Sequence, residues 1–176
     1  DPNQFGSRYK NYLDWIPGTD LADLNALGSG TYRLYCFDND LGIGRRGLKF
    51  TRNGSQNYWV QFRQRITGSR SLMNGVQLLW TGNGNGSSLL LDARLTGGAG
   101  NNGLVIGRTF SDTSFGFHVT PIGKGHTYPE SMDVVVNIGS FATNLPPVAT
   151  VRASTLAAAT GQAISFTASA TDPNGD

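Results

Sequence analysis

The sequence predicts an all-β protein, an antiparallel β-sandwich of jelly-roll-like character with about eight strands and a short helical segment at its N-terminal end. Three observations predict it. Twenty-four of the 176 residues are glycine and only 15% are charged, a composition of short strands and polar turns. Aromatic and β-branched residues alternate with polar ones in several runs, as half-buried strands require. Glycine- and asparagine-rich turn signals separate those runs at hairpin spacing.

Asp1 to Trp15 is polar and aromatic, and Phe5, Tyr9, Tyr12 and Trp15 recur at a spacing that suits one or two turns of helix, ended by Pro17-Gly18. An aromatic stripe of this kind is expected to dock the segment on a neighbouring sheet. Thr31 to Asp38 follows Gly28-Ser29-Gly30 and puts Tyr32, Leu34 and Cys36 on one face. Gly47 to Arg52, the Asn53-Gly54 turn and the run Tyr58 to Arg65 form a hairpin. In the second of these strands Tyr58, Val60 and Phe62 share the core face, and Trp59, Gln61 and Arg63 the other. Gly75 to Thr81 and Ser88 to Arg94 make another pair, joined by the Gly/Asn tract 82–87. Leu104 to Asp112, Phe115 to Pro121 and Ser131 to Gly139 complete the series. The expected core includes Leu78 and Trp80, Leu89 and Leu91, and Val134 and Val136.

After Phe141 the texture changes. The stretch 142–147, with Pro146-Pro147, reads as a stiff linker, because consecutive prolines favour an extended backbone and cannot continue a ladder. Val148 to Ser154 and Ala163 to Thr171 are two further strands. They read as the truncated start of a second module, which has too few strands to stand alone. The chain is thus expected to hold an accessory sandwich over 1–141, a linker over 142–147 and a partial module over 148–176, as an excised piece of a larger protein.

Net charge is +2 and the basic residues are scattered, so nucleic acid is not an expected partner. No apolar run approaches the length of a membrane helix. The single cysteine, Cys36, sits in an alternating run and reads as a small buried thiol. His118 and His126 are not arranged as a His-Glu-x-x-His signature, and the Gly-x-Ser-x-Gly elbow is missing. Sequence does not pair Asp38, Asp92, Asp112 or Asp133 as catalytic carboxylates. The chain is therefore read as a non-enzyme. The candidate metal site is Asp38-Asn39-Asp40 before Leu41-Gly42, where alternate side-chain oxygens suit a hard cation such as calcium, although the rest of a twelve-residue calcium loop is missing. Trp59, Gln61, Arg63, Tyr35 and Trp80 are the candidate ligand-binding residues, because aromatic rings beside amide and guanidinium groups can form a platform for sugar rings. The competing role for Arg63 is packing inside the sandwich.

The succession Ser7-Arg8-Tyr9-Lys10-Asn11-Tyr12-Leu13-Asp14-Trp15, Gly30-Thr31-Tyr32-Arg33-Leu34-Tyr35 and Tyr58-Trp59-Val60-Gln61-Phe62-Arg63 resembles the region that follows the catalytic domain in secreted bacterial metallopeptidases. The gametolysin-like and reprolysin-like groups are nearest in pattern. Leu89-Leu90-Leu91-Asp92 and Gly107-Arg108-Thr109-Phe110-Ser111-Asp112 fit the same β-domain. The segment from Pro146-Pro147-Val148 through Phe166-Thr167-Ala168 to Asp172-Pro173-Asn174-Gly175-Asp176 resembles the opening of a PKD-type or cadherin-like module. The resemblance implies a secreted, extracellular, monomeric and non-catalytic accessory domain. Its partner would be an upstream peptidase domain, and a polysaccharide or matrix protein is a further expected partner. The alternative expectation is a carbohydrate-binding module of a secreted multidomain enzyme.

Overall fold

The structure is a computed structural model and describes residues 5–38, 41, 43–65, 69–82, 88–93, 103–140 and 148–171. The chain divides into two units, 1–140 and 141–176. The first begins with helix α1 (Ser7–Tyr12), a 3-10 turn (Gly18–Asp20), strand β1 (Leu21–Asp23), the single-turn helix α2 (Leu24–Leu27) and strand β2 (Gly30–Tyr35). Strands β3 (Gly47–Asn53) and β4 (Gln56–Gln61) form the expected hairpin. They are followed by the short helix α3 (Arg70–Met73), β5 (Gly75–Thr81) and β6 (Ser88–Leu90). The remaining strands of this unit are β7 (Leu104–Val105), β8 (Phe110–Asp112), β9 (Phe117–Lys124) and β10 (Ser131–Ile138).

Two sheets make the sandwich. One runs β1-β3-β4-β5-β6 with β7 also on β5, and the other runs β2-β10-β9-β8. Each contributes one face to a shared core. Leu34, Val134, Val136, Phe117 and Val119 come from the four-stranded sheet, and Leu48, Phe50, Tyr58, Val60 and Leu78 from the larger one. The Phe117 ring stacks on Phe50 at 4.6 Å and on Tyr58 at 5.3 Å between centroids. A truncation of such a fully buried ring to alanine costs about 3–5 kcal/mol. The sheets are also tied by polar contacts. Tyr58 donates its hydroxyl proton to Asp112 Oδ2 at 2.7 Å, and Arg52 Nε lies 3.2 Å from the same oxygen.

The fold class and most strands agree with expectation, and the differences have local causes. The run Tyr58 to Arg65 leaves the ladder after Gln61, because Asp38 takes the backbone amides of Gln64 and Arg65. Leu104 to Asp112 is two strands rather than one, broken at Gly107 with a φ of 80°. Strand β1 is too short to show a pattern, yet it pairs parallel with β3. In the core, Leu78, Val134 and Val136 are fully buried, while Trp80 and Leu91 are partly buried against them. Leu89 lies opposite Trp80 on the inward face yet is 46% exposed, because β6 is the edge strand of its sheet.

Among the described residues of the second unit, β11 (Val148–Ala153) and β12 (Phe166–Thr171) form an antiparallel hairpin. Its apolar side chains Val151, Leu156 and Phe166 are exposed. The linker expected over 142–147 lies outside the described residues.

Candidate functional site

The register of β3, β4 and β5 sorts their side chains into rows across the larger sheet. Leu48, Val60 and Leu78 form one inward row, and Phe50, Tyr58 and Trp80 the next. Because side chains alternate, the outward rows are Lys49-Trp59-Leu79 and Thr51-Asn57-Thr81. Gln61 pairs with Gln77 on the same outward face.

Helix α1 covers part of that face. It lacks a side-chain N-cap, so its placement depends on tertiary contacts. Ser7 donates both its backbone N–H and its hydroxyl to Gln61 Oε1, at 2.7 and 2.8 Å, and Gln61 Nε2 donates to Gln77 Oε1 at 2.9 Å. All three residues are buried. Gly6 lies so close that an added Cβ would meet the Gln61 amide at 3.0 Å. Lys10 donates to the Phe37 carbonyl at 3.0 Å, and the Tyr9 hydroxyl accepts the Ser88 amide at 3.3 Å. Gln61 is therefore a buried fastener of the helix and not a ligand contact, which corrects the sequence expectation for it.

Beside the helix, which contributes Arg8 to its wall, the face opens as a groove of about 330 Å³, lined by Arg8, Lys49, Ser55, Asn57, Trp59, Thr81 and Gly82. Trp59 is only 7% exposed, and its Nε1 is buried without a hydrogen-bond partner. The Asn57 amide is partly engaged: Oδ1 accepts from Thr51 Oγ1 at 2.9 Å and Nδ2 donates to the Ser55 carbonyl at 3.0 Å.

The other expected aromatic sites do not join this groove. Trp80 points into the core and carries the Arg52 guanidinium over its ring at 5.4 Å. Tyr35 stands on the other sheet, with the Gly44 backbone packed on its ring so closely that a Cβ there would lie 2.5 Å away. Trp59, Trp80 and Tyr35 thus occupy two faces of one sheet and a strand of the other. A flat sugar platform built from the three rings is excluded by burial and by parity.

Arg63 takes the packing role. It is 6% exposed, with its guanidinium over the buried Phe37 ring at 5.2 Å and Nε 3.8 Å from Asp38 Oδ2. Burial pushes this guanidinium below its ordinary pKa, and the Asp38 charge opposes that shift. Asp38 is itself buried. Its Oδ1 and Oδ2 accept from Gln64 N–H at 3.0 and 3.1 Å, and Oδ2 also accepts from Arg65 N–H at 2.8 Å. A carboxylate so engaged would have to release amides to ligate a cation, so the expected calcium role of Asp38 is replaced by a structural one. Asn39 and Asp40 lie outside the described residues. Among the described residues no three His, Cys, Asp or Glu side chains gather as a metal site. His118 is buried in β9, with Nε2 3.2 Å from the Gly139 carbonyl oxygen.

No protein-family model, curated protein or solved structure matches this chain. Two further features complete the surface, and the first corrects the expectation that the aromatic stripe from Phe5 to Trp15 docks the segment on a neighbouring sheet, since three of its four rings are exposed. Phe5, Tyr12, Leu13 and Trp15 are exposed around α1, Trp15 at 58% and Tyr12 at 79%, with Phe5 edge-on to Trp15 at 5.9 Å. At another place Cys36, Asp38, Gln64, Arg65 and Glu130 line a groove of about 420 Å³ with Tyr128 on its lip. Tyr128 lay in a stretch without alternation, so periodicity could not have found it. The aromatic spacing from Phe5 to Trp15 was visible, but its division into a docked side and an exposed side was not. Among the described residues no helix is long and apolar enough to cross a membrane.

Proposed function

We propose that this chain is a non-catalytic accessory β-sandwich domain of a secreted bacterial metallopeptidase, held against the peptidase domain that precedes it in the polypeptide. The observation that carries this reading is the exposure of Phe5, Tyr12, Leu13 and Trp15 along one short stretch, with the Phe5 and Trp15 rings in edge contact. Contiguous apolar side chains left in water mark interaction surfaces, and Trp and Tyr are enriched at interface centres. The cluster belongs to the stretch that a preceding domain would reach first. The helix beneath it is fixed to the sandwich by the buried Ser7-Gln61-Gln77 relay, so a load on the cluster is passed to the rigid sheet. The resemblance to the region following metallopeptidase catalytic domains names the partner.

The test has two arms. The purified chain is expected to leave casein intact with and without added zinc, and zinc-dependent cleavage by a homogeneous sample would overturn the accessory role. Titration with the peptidase domain encoded upstream should shift Trp15 fluorescence to the blue, and Trp15→Ala should weaken that association about tenfold or more, as truncation of a hot-spot ring does. An unchanged affinity would overturn the docking surface.

A further inference from the structure

We infer that Asn53 is a site of spontaneous deamidation in the folded protein, where its side-chain amide is converted to aspartate and isoaspartate, and that the fold shields the chemically identical pair Asn74-Gly75. The inference stands apart from the accessory role, because the reaction needs only water and the chain itself.

Asparagine followed by glycine is the pair most open to this chemistry, since glycine has no Cβ to screen its backbone nitrogen. The Gly54 nitrogen gives up its proton and attacks Asn53 Cγ. The new N–Cγ bond displaces the side-chain nitrogen, which takes up a proton and leaves as ammonia, and a succinimide ring remains. Water then adds to one of the two ring carbonyls. Opening at Cγ gives aspartate, and opening at the main-chain carbonyl gives isoaspartate, whose backbone runs through Cβ and Cγ and is one carbon longer. Nothing is oxidised or reduced.

Three observations place the reaction at Asn53. First, Asn53 ends β3 and is exposed together with Gly54 and Ser55, so water reaches the ring and ammonia can leave. Second, among the described residues neither the Asn53 side-chain amide nor the Gly54 N–H is held by a hydrogen bond, so no bond has to break before the nitrogen attacks. Third, a Cβ built on Gly54 would meet nothing within 4 Å, so no neighbouring segment resists closure of the ring. Asn74 is exposed as well, yet its surroundings oppose the same steps. Its Nδ2 donates to the Arg70 carbonyl at 3.0 Å, and its own main-chain carbonyl accepts from Ile106 N–H at 3.2 Å. Gly75 is buried, pairs with Val105 across β5 and β7, and is backed by the Leu104 carbonyl. Hydrogen bonds of ordinary net strength that must break first slow a reaction by about tenfold or more. The other Asn-Gly pairs have their asparagine outside the described residues. Conversion of Asn53 puts a carboxylate, and in isoaspartate an extra main-chain carbon, where Asn53 faces Gln56 and the β3-β4 register begins.

The test holds the purified folded chain in mildly alkaline buffer over days, beside a sample unfolded in guanidinium chloride. Tandem mass spectrometry of peptides cut at mildly acid pH localises each amide-to-acid exchange, and an isoaspartate-specific carboxyl methyltransferase labels the rearranged product. In the folded chain Asn53 is expected to convert at least about tenfold faster than Asn74, and in guanidinium the two rates should converge. Asn53→Gln, whose longer side chain closes a ring far more slowly, should remove the methyltransferase label from that turn without shifting Tm. The inference is overturned if Asn53 stays intact in the folded chain while it converts in guanidinium, or if Asn74 keeps pace with it in the folded chain. A tenfold difference that persists in guanidinium would assign the selectivity to the flanking sequence and overturn the structural argument too.

Discussion

Replacing Asp38 by alanine removes the acceptor that holds Gln64 and Arg65 and strands a buried guanidinium. Two amides then lose a charged acceptor at 2.8–3.1 Å, and Arg63 loses a counter-charge 3.8 Å away. At an effective dielectric of 20 the gross attraction at that distance is about 4 kcal/mol. Desolvation of the guanidinium, visible in its lowered pKa, offsets part of it. Breaking one side of a buried pair typically costs about 3–5 kcal/mol, so Asp38→Ala should destabilise by about 4 kcal/mol and lower Tm by roughly 10 °C. Arg63→Met keeps an apolar stem beside Phe37 and leaves the carboxylate its amides, so it should cost about 1–2 kcal/mol. The double variant should then be less destabilised than the sum of the two by about 2 kcal/mol. Urea unfolding followed by the fluorescence of Trp80, packed against the core, and of Trp59, buried on the outer face of the same sheet, measures all three. Strict additivity, or an Asp38→Ala loss below about 1 kcal/mol, would refute the clamp.

Further outcomes follow from the same contacts. Burial, reinforced by the bond to Asp112 and its charge, pushes the Tyr58 hydroxyl up to about 12. The folded state therefore holds this proton longer than the unfolded one, and the associated stability, about 1–2 kcal/mol after solvent screening, is intact below pH 10 and lost as pH rises toward 12. Tyr58→Phe should flatten that alkaline decline in Tm, and an equal decline in the variant would locate it elsewhere. Gln61→Leu leaves the Ser7 donors and Gln77 Oε1 unpaired and buried, so it should cost about 3 kcal/mol and expose α1 to limited proteolysis before the rest of the unit. At Gly116, with a φ of 58°, an added Cβ would lie 2.5 Å from the Gly139 carbonyl oxygen, so Gly116→Ala should cost about 2–3 kcal/mol in thermal unfolding. Millimolar calcium should leave Tm unchanged, since a ligand raises Tm only by binding the folded state and the Asp38 oxygens are engaged; a calcium-dependent rise would reopen that turn as a site.

The contrast between what alternation revealed and what it hid is sharpest in the β3-β4 hairpin. Period-two patterning placed Tyr58, Val60 and Phe62 on the core face, and they are buried there, because a strand with one buried face writes its own parity into the chain. The partner of Trp59 was not legible in the same way. Counting inward from the turn, with Asn53 opposite Gln56, would set Phe50 opposite Trp59 and put a core ring beside the outward indole. The register shift between Thr51 and Asn53 absorbs one residue and sets Lys49 there instead. One bulge thus converts an apolar neighbour into a cationic one, and with it a packing surface into a charged groove. The end of β4 was hidden for a different reason: nothing in Phe62 to Arg65 weakens a strand, and the ladder stops because a carboxylate 26 residues earlier captures the amide of Gln64. Trp80 shows the converse. Its alternation with Leu78 already placed it inward, and only the chemical appeal of a second tryptophan grouped it with Trp59, on the opposite face of the same sheet. Local sequence carries parity and turn position; bulges and side-chain captures across tens of residues decide which polar groups finally share a surface.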